Sequence, residues 1–185
     1  MATTVTAAGP AERAEIGRML GMSAPAPLVR AFGGRAGACR GIARALGWGS
    51  GKASPRHVRV ARRDGKVVAA CVRCDGSERG IPLAGCEGIP EQASAACAGW
   101  VEEASRGGED APVVVPMFAV GPEGCRNGAA EALLMSVIDE AGDRPVEVEV
   151  PLGDDYAVIA CLSLGFRTVR GSAGDGDGIV RMRMG

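Results

Sequence analysis

The sequence predicts a single α/β domain over residues 1–185, with a mixed sheet flanked by helices, and three stretches carry that prediction. His57–Arg62 alternates Val58 and Val60 with polar partners, Asp64-Gly65 is a dipeptide that favours a two-residue hairpin, and Lys66–Cys74 continues as an apolar strand. Residues 113–142, VVVPMFAVGPEGCRNGAAEALLMSVIDEAG, pass from a β-branched strand through a glycine-bearing loop into a helix with apolar positions at helical spacing. Residues 145–150 alternate Val146, Val148 and Val150 against Glu147 and Glu149, and a further helical stretch follows. A chain of 185 residues is long enough to bury a sizeable core.

Taken in order, Thr3–Ala7 reads as a short first strand, and Pro10 suits the first position of a helix running to Leu20, with Gly21 as its stop. Leu28–Leu46 places Phe32, Cys39, Ile42, Ala43 and Leu46 at near-helical intervals. A break is expected near Gly33-Gly34, because each glycine costs a helix about 1 kcal/mol relative to Ala. Trp48–Pro55 is turn-rich, and His57–Arg62 with Lys66–Cys74 form the antiparallel pair. The interval Asp75–Pro112 then separates the third strand from the fourth. Within it Pro90–Ser105 sets Ala93, Ala96, Cys97, Trp100, Val101 and Ala104 on one face, the pattern of an amphipathic helix packed through Trp100.

After the fourth strand, Leu133, Leu134, Val137, Ile138 and Ala141 form one apolar stripe that Gly142 ends. Val146–Val150 is expected to bury one face only. Asp154 caps a helix Asp155–Leu164, and Arg167–Gly171 with Ile179–Met184 close the sheet as a strand pair across a Gly/Asp-rich turn.

Hydrophobic residues make up 46% of the chain and aromatics only 3%, so the core is built from aliphatic side chains. No stretch approaches the roughly 20 apolar residues of a membrane span. The first residues lack the charged and apolar regions of a secretory signal, so a cytoplasmic location with reduced thiols is expected for the seven cysteines. Cys71 and Cys74 lie on a strand, where residues three apart face opposite sides, and one histidine adds little toward a zinc site; no metal is expected. Residues 1–74 carry 13 Lys/Arg against 3 Asp/Glu, and residues 75–185 carry 8 against 19. The basic residues are dispersed and without interleaved aromatics, which argues against nucleic acid and for a solvated surface or the steering of an anion.

The loop before Ala130 has a further property. The first amides of a helix lack carbonyl partners and carry partial positive charge, so they bind phosphate, and Gly128 with Ala129-Ala130 leaves no bulk above them. The same pattern also fits a tight turn with no ligand. From Val120, VGPEGCRNGAAEALL resembles the acetyl-CoA loop of the GNAT acetyltransferase superfamily, and VEVPLGDDYAVIACLSLGF, 148–166, is similar to that family's second signature with its gap lengths kept. The two matches cover about a fifth of the chain.

The resemblance implies a mostly antiparallel GNAT-like sheet splayed between its fourth and fifth strands, with residues 75–112 as a helical insertion between the third and fourth. It implies acetyl-CoA as acyl donor and an amine as acceptor, attacked directly without a covalent enzyme intermediate. Backbone groups of Met117, Phe118, Ala119 and Val120 would hold the pantetheine and polarise the thioester, and those of Cys125, Arg126, Asn127, Gly128, Ala129 and Ala130 the diphosphate. Asp154 stands where the family has Asn, Cys125 where its loop begins with Arg or Gln, and Cys161 where it has the tyrosine that protonates the departing thiolate. Cys161, shorter than tyrosine and set among apolar residues, reads better as a structural thiol. Glu149 is the candidate general base, although exposed strands carry Glu routinely.

Three functions follow as expectations: an N-acetyltransferase for a small-molecule or peptide amine, a catalytically impaired relative that binds CoA or a protein, and an interaction module presenting the Trp100 helix. A homodimer is left open.

Overall fold

The computed structural model describes residues 2–46, 57–74, 90–95, 111–125, 127–169 and 178–185. Strand β1 (Thr4–Ala7) leads through a 3₁₀ turn (Pro10–Glu12) into helices α1 (Arg13–Met22), α2 (Ala26–Ala31) and α3 (Arg35–Ala45). Strands β2 (Val58–Arg63) and β3 (Lys66–Cys74) follow, then β4 (Val113–Val120), α4 (Ala129–Ala141), β5 (Val146–Pro151), α5 (Asp155–Ser163), β6 (Arg167–Thr168) and β7 (Ile179–Met184). The seven strands lie in the order β1-β2-β3-β4-β5-β7-β6. Every pairing is antiparallel except that of β4 with β5.

The hairpin turn forms for a local reason: Asp64 and Gly65 both take positive φ, 51° and 77°, which matches the twist of the two strands they join. Gly33 (φ 70°) and Gly34 (φ 120°) likewise separate α2 from α3 as the sequence predicts. The sheet carries a hydrophobic cluster on each face. One includes Ile16, Leu20, Leu28 and Ile42 from the N-terminal helices with Val60, Val72, Val114 and Met117 from the sheet. The other includes Leu133, Leu134 and Val137 of α4 and Ala157, Ala160 and Cys161 of α5 with Val113, Phe118, Val148 and Val150. Cys71 belongs to the second cluster and Cys74 to the first, so the strand holds their side chains apart as the sequence predicts.

Several expectations are corrected. Gly21 does not stop α1, which continues to Met22. A Cβ on Gly17 would lie 2.4 Å from the Cβ of Ala43, and one on Gly21 would lie 2.5 Å from the Cα of Cys39. These glycines are spacers that let α1 and α3 touch backbone to backbone. Glu147 and Glu149 are not on a solvated face: both are buried, paired across the sheet with Arg183 (3.1 Å) and Arg181 (3.0 Å). Val146, Val148 and Val150 pack in the cluster under α4 and α5, so the two carboxylates project to the opposite face, where the cross-strand arginines make their burial tolerable. Of the expected strand Arg167–Gly171, Arg167–Thr168 is strand and Val169 is not, while residues 170–171 lie outside the described residues.

Of the expected helix at Pro90–Ser105 the helical stretch 91–95 is described, with Ala93 fully buried. Trp48, Trp100, Arg126 and the turn 172–177 lie outside the described residues. Among the described residues no helix is long and apolar enough to cross a membrane.

Candidate active site

The site begins with an extra residue. Between the pairs Val72↔Met117 and Cys74↔Val114, β3 advances two residues while β4 advances three. That is a β-bulge on β4, and Pro116 lies inside it, where its missing N–H withdraws one ladder donor. The bulge reverses which edge the amides serve. Before it, the Val113 N–H donates to the Pro145 carbonyl on the β5 side (2.8 Å); after it, the Gly121 N–H donates to Val68 on the β3 side (2.8 Å). With Val120 opposite Ala69, the alternation of an antiparallel ladder turns the amides of Phe118 and Val120 away from β3, toward β5.

There β5 is no longer paired. The parallel register comprises Val113↔Val146, Val114↔Glu147 and Val115↔Val148, and the strands part beyond it. The expected splay is therefore present, with a one-sided row of main-chain donors along its β4 edge. Met117 and Ala119 face the N-terminal helices and Phe118 faces α4, all buried; Val120 is half-buried.

From the open end of β4 the chain folds tightly. The amides of Gly124 and Cys125 donate to the Gly121 carbonyl at 2.8 and 3.2 Å, and that of Asn127 donates to Gly124 at 3.3 Å. Asn127 Nδ2 donates to the Glu123 carbonyl at 2.6 Å, and the Cys125 thiol lies 3.3 Å from the Gly121 carbonyl. Two of the expected phosphate donors, the Cys125 and Asn127 amides, are thus spent on the turn. Gly128 follows as the N-cap of α4 at φ 68°, ψ 17°. Among the described residues no acceptor meets the amides of Gly128, Ala129 or Ala130, which belong to the unpartnered first turn of α4. Space is open above Gly128, where an added Cβ would find only Glu131 Oε2, at 4.0 Å. These features fit a diphosphate group, with the Glu131 carboxylate as an unfavourable neighbour.

The other candidates fall into two groups. Glu149 is the first residue of β5 past its last pair with β4, and its carboxylate is fixed by Arg181 across the β5–β7 ladder. Asp154 is a helix cap: its Oδ1 accepts from the Ala157 N–H at 3.1 Å. Cys161 is fully buried in the cluster under α4 and α5, and burial, with the Asp154 carboxylate adding to it, pushes its thiol up to about 12. Tyr156 on the same helix is more than half exposed and does not take its place.

Three residues were missed in the sequence. Pro116 within an apolar strand run is itself a bulge signal. Gly124 is required because a Cβ there would lie 2.5 Å from the Val68 carbonyl oxygen. Arg181 gave no signal, since its pairing depends on the register of β7.

No protein-family model and no curated protein sequence matches the chain. Solved structures do. An N-acetyltransferase from Staphylococcus aureus Mu50 superposes with a TM-score of 0.65 at 12% identity, covering 98% of this chain and 100% of its own. A Corynebacterium glutamicum protein described as histone acetyltransferase HPA2 and related acetyltransferase gives 0.57 at 18%, over 99% and 96%. The putative acetyltransferase yncA of Salmonella typhimurium, solved with acetyl-CoA, gives 0.51 at 15%, over 100% and 94%.

Proposed function

We take the fold of the GNAT acetyltransferases, which this chain has, as the premise, and we propose that the protein is an acetyl-CoA-dependent N-acetyltransferase acting on a small-molecule or peptide amine. The observation that carries the proposal is the fork between β4 and β5, with outward-turned amides along one edge and the uncovered first turn of α4 beyond the open end.

Acetyl-CoA supplies an acetyl group activated as a thioester. The amides of Gly128, Ala129 and Ala130 would hold its diphosphate, with Arg126 next to them in sequence. Those of Phe118 and Val120 would bind the pantetheine arm as a neighbouring strand would, and a donor of the Met117–Val120 segment would polarise the thioester carbonyl. The acceptor nitrogen forms the new C–N bond as the C–S bond breaks. Glu149 would take the proton shed by that nitrogen, directly or through one water, while solvent supplies the proton that the sulfur needs. Arg181 holds the Glu149 carboxylate at the fork.

A second reading, a catalytically impaired protein that binds CoA or a partner, is favoured by one observation: the thiol at the position of the family's tyrosine is sealed in the core. Thiol release from acetyl-CoA with a panel of amines separates the two. Amine-dependent release supports the enzyme. Stabilisation against heat by acetyl-CoA and desulfo-CoA with no release supports the second reading, and absence of stabilisation at excess ligand counts against both.

A further inference from the structure

We infer that the outer face of α5 is a contact between two copies of this chain, paired antiparallel about a twofold axis passing near Ile159. The inner face of α5 is accounted for: Ala157, Ala160 and Cys161 are buried against the sheet. The outer face is also apolar. Tyr156, Ile159 and Leu162 are 56%, 60% and 55% exposed, and Leu152, just before the helix, is 60% exposed. Six large hydrophobic residues are exposed among those described, and these four fall within residues 152–162. Scattered apolar side chains on a surface mean little, but a helix apolar on both sides is one that is covered on both.

A second copy fits this face better than an unrelated partner, for three reasons. Tyr156, Ile159 and Leu162 are evenly spaced about Ile159, sweeping roughly 120° of the helix. An antiparallel twofold therefore sets Ile159 against itself and Tyr156 against the Leu162 of the other copy, which is the self-complementarity an isologous contact needs. Charge agrees: no Asp, Glu, Lys or Arg occurs between Tyr156 and Phe166, so like charges do not meet at the axis. The antiparallel arrangement also carries the acidic start of one helix, Asp154 and Asp155, toward the end of the other that is followed by exposed Arg167.

Four side chains a little over half exposed present on the order of 400 Å² of apolar surface per copy, about half of a standard interface side, so the residues bordering them on α5 and its flanks supply the rest of the contact. The inference stands on α5 alone and is independent of the proposed activity.

Sedimentation velocity of the full chain over a range of concentrations tests it. The expected result is a concentration-dependent dimer, weakened at least about 100-fold by Ile159→Glu, which would bury two unpaired like charges at the axis. Because Ile159 is exposed, the variant keeps the native helical circular dichroism. In an Ile159→Cys variant, oxidation should give one covalent dimer that the unsubstituted chain does not form. A chain that stays monomeric throughout, or a dimer untouched by Ile159→Glu, overturns the inference and leaves the face to a partner of another kind.

Discussion

Val115 and Val148 are the last paired residues of β4 and β5, and Glu149, one position further along β5, is joined to Arg181 at 3.0 Å. The site develops from that end point. Pro116 removes a ladder donor inside a bulge, the amides beyond it change edges, and the strands separate with Glu149 at the fork. A rigid sheet then does what a flexible loop would do poorly, fixing a row of donors and a carboxylate relative to one another.

Gly128 is the position at which ligand placement is most exposed to test. Gly128→Glu adds bulk and a second carboxylate, close to that of Glu131, over the amides of the first turn. Loss of all stabilisation by desulfo-CoA is expected. Gly128→Ala should cost roughly 1–2 kcal/mol of fold stability through its left-handed backbone while keeping affinity within a few-fold. Calorimetric titration of both variants checks this, and full affinity in Gly128→Glu would move the diphosphate elsewhere.

Proton transfer gives opposite expectations for two residues. Cys161→Ala should turn over at the native rate, because a buried thiol pushed up to about 12 is a poor donor to a departing thiolate. Glu149→Gln should lower kcat about 100-fold with acetyl-CoA affinity unchanged. Steady-state kinetics on both variants decides; a slow Cys161→Ala enzyme or a fast Glu149→Gln enzyme reverses the assignment.

The contact between α1 and α3 predicts a cost where helix propensity predicts a gain. Gly17→Ala should gain about 1 kcal/mol from propensity but forces a Cβ to within 2.4 Å of the Ala43 Cβ. Overpacking of that kind costs about 1–3 kcal/mol or more, so a net fall in Tm of a few degrees is expected. A more stable variant would show that the helices can part without loss.

Acid should weaken the fold through Glu12. Its hydrogen bonds from Arg62, 2.6 and 2.5 Å, and from the Gly9 N–H hold its carboxyl below the ordinary value of 4.5, against the opposing effect of burial. A carboxyl depressed in the folded state stabilises above its unfolded pKa, and that contribution disappears as pH falls through the folded value. Denaturant midpoints measured from neutral pH down through the carboxylate range should fall less steeply for Glu12→Gln than for the native chain. Parallel slopes would mean that the pair contributes nothing.

The sequence spoke clearly where structure is local. Asp64-Gly65, the break at Gly33-Gly34, the Asp154 cap and the stripe of α4 ending at Gly142 each depend on neighbours a few residues away, and each is in place. It misled where tertiary contact decides. Gly21 is a helix stop by local rules and a spacer by packing, and Glu147 and Glu149 read as solvated because their arginine partners lie far along the chain. The fork was foreseen through a family resemblance, whereas its physical cause, an extra residue around Pro116, was legible and passed over.

The central claim is that the fork between β4 and β5 and the start of α4 receive a CoA molecule. Amide-resolved nuclear magnetic resonance during titration with desulfo-CoA tests it most directly. The account predicts saturable shifts at Phe118, Val120, Gly128, Ala129 and Ala130, with the Glu12 region undisturbed. Saturable binding that leaves those five amides unmoved, or no binding at excess ligand, would contradict it.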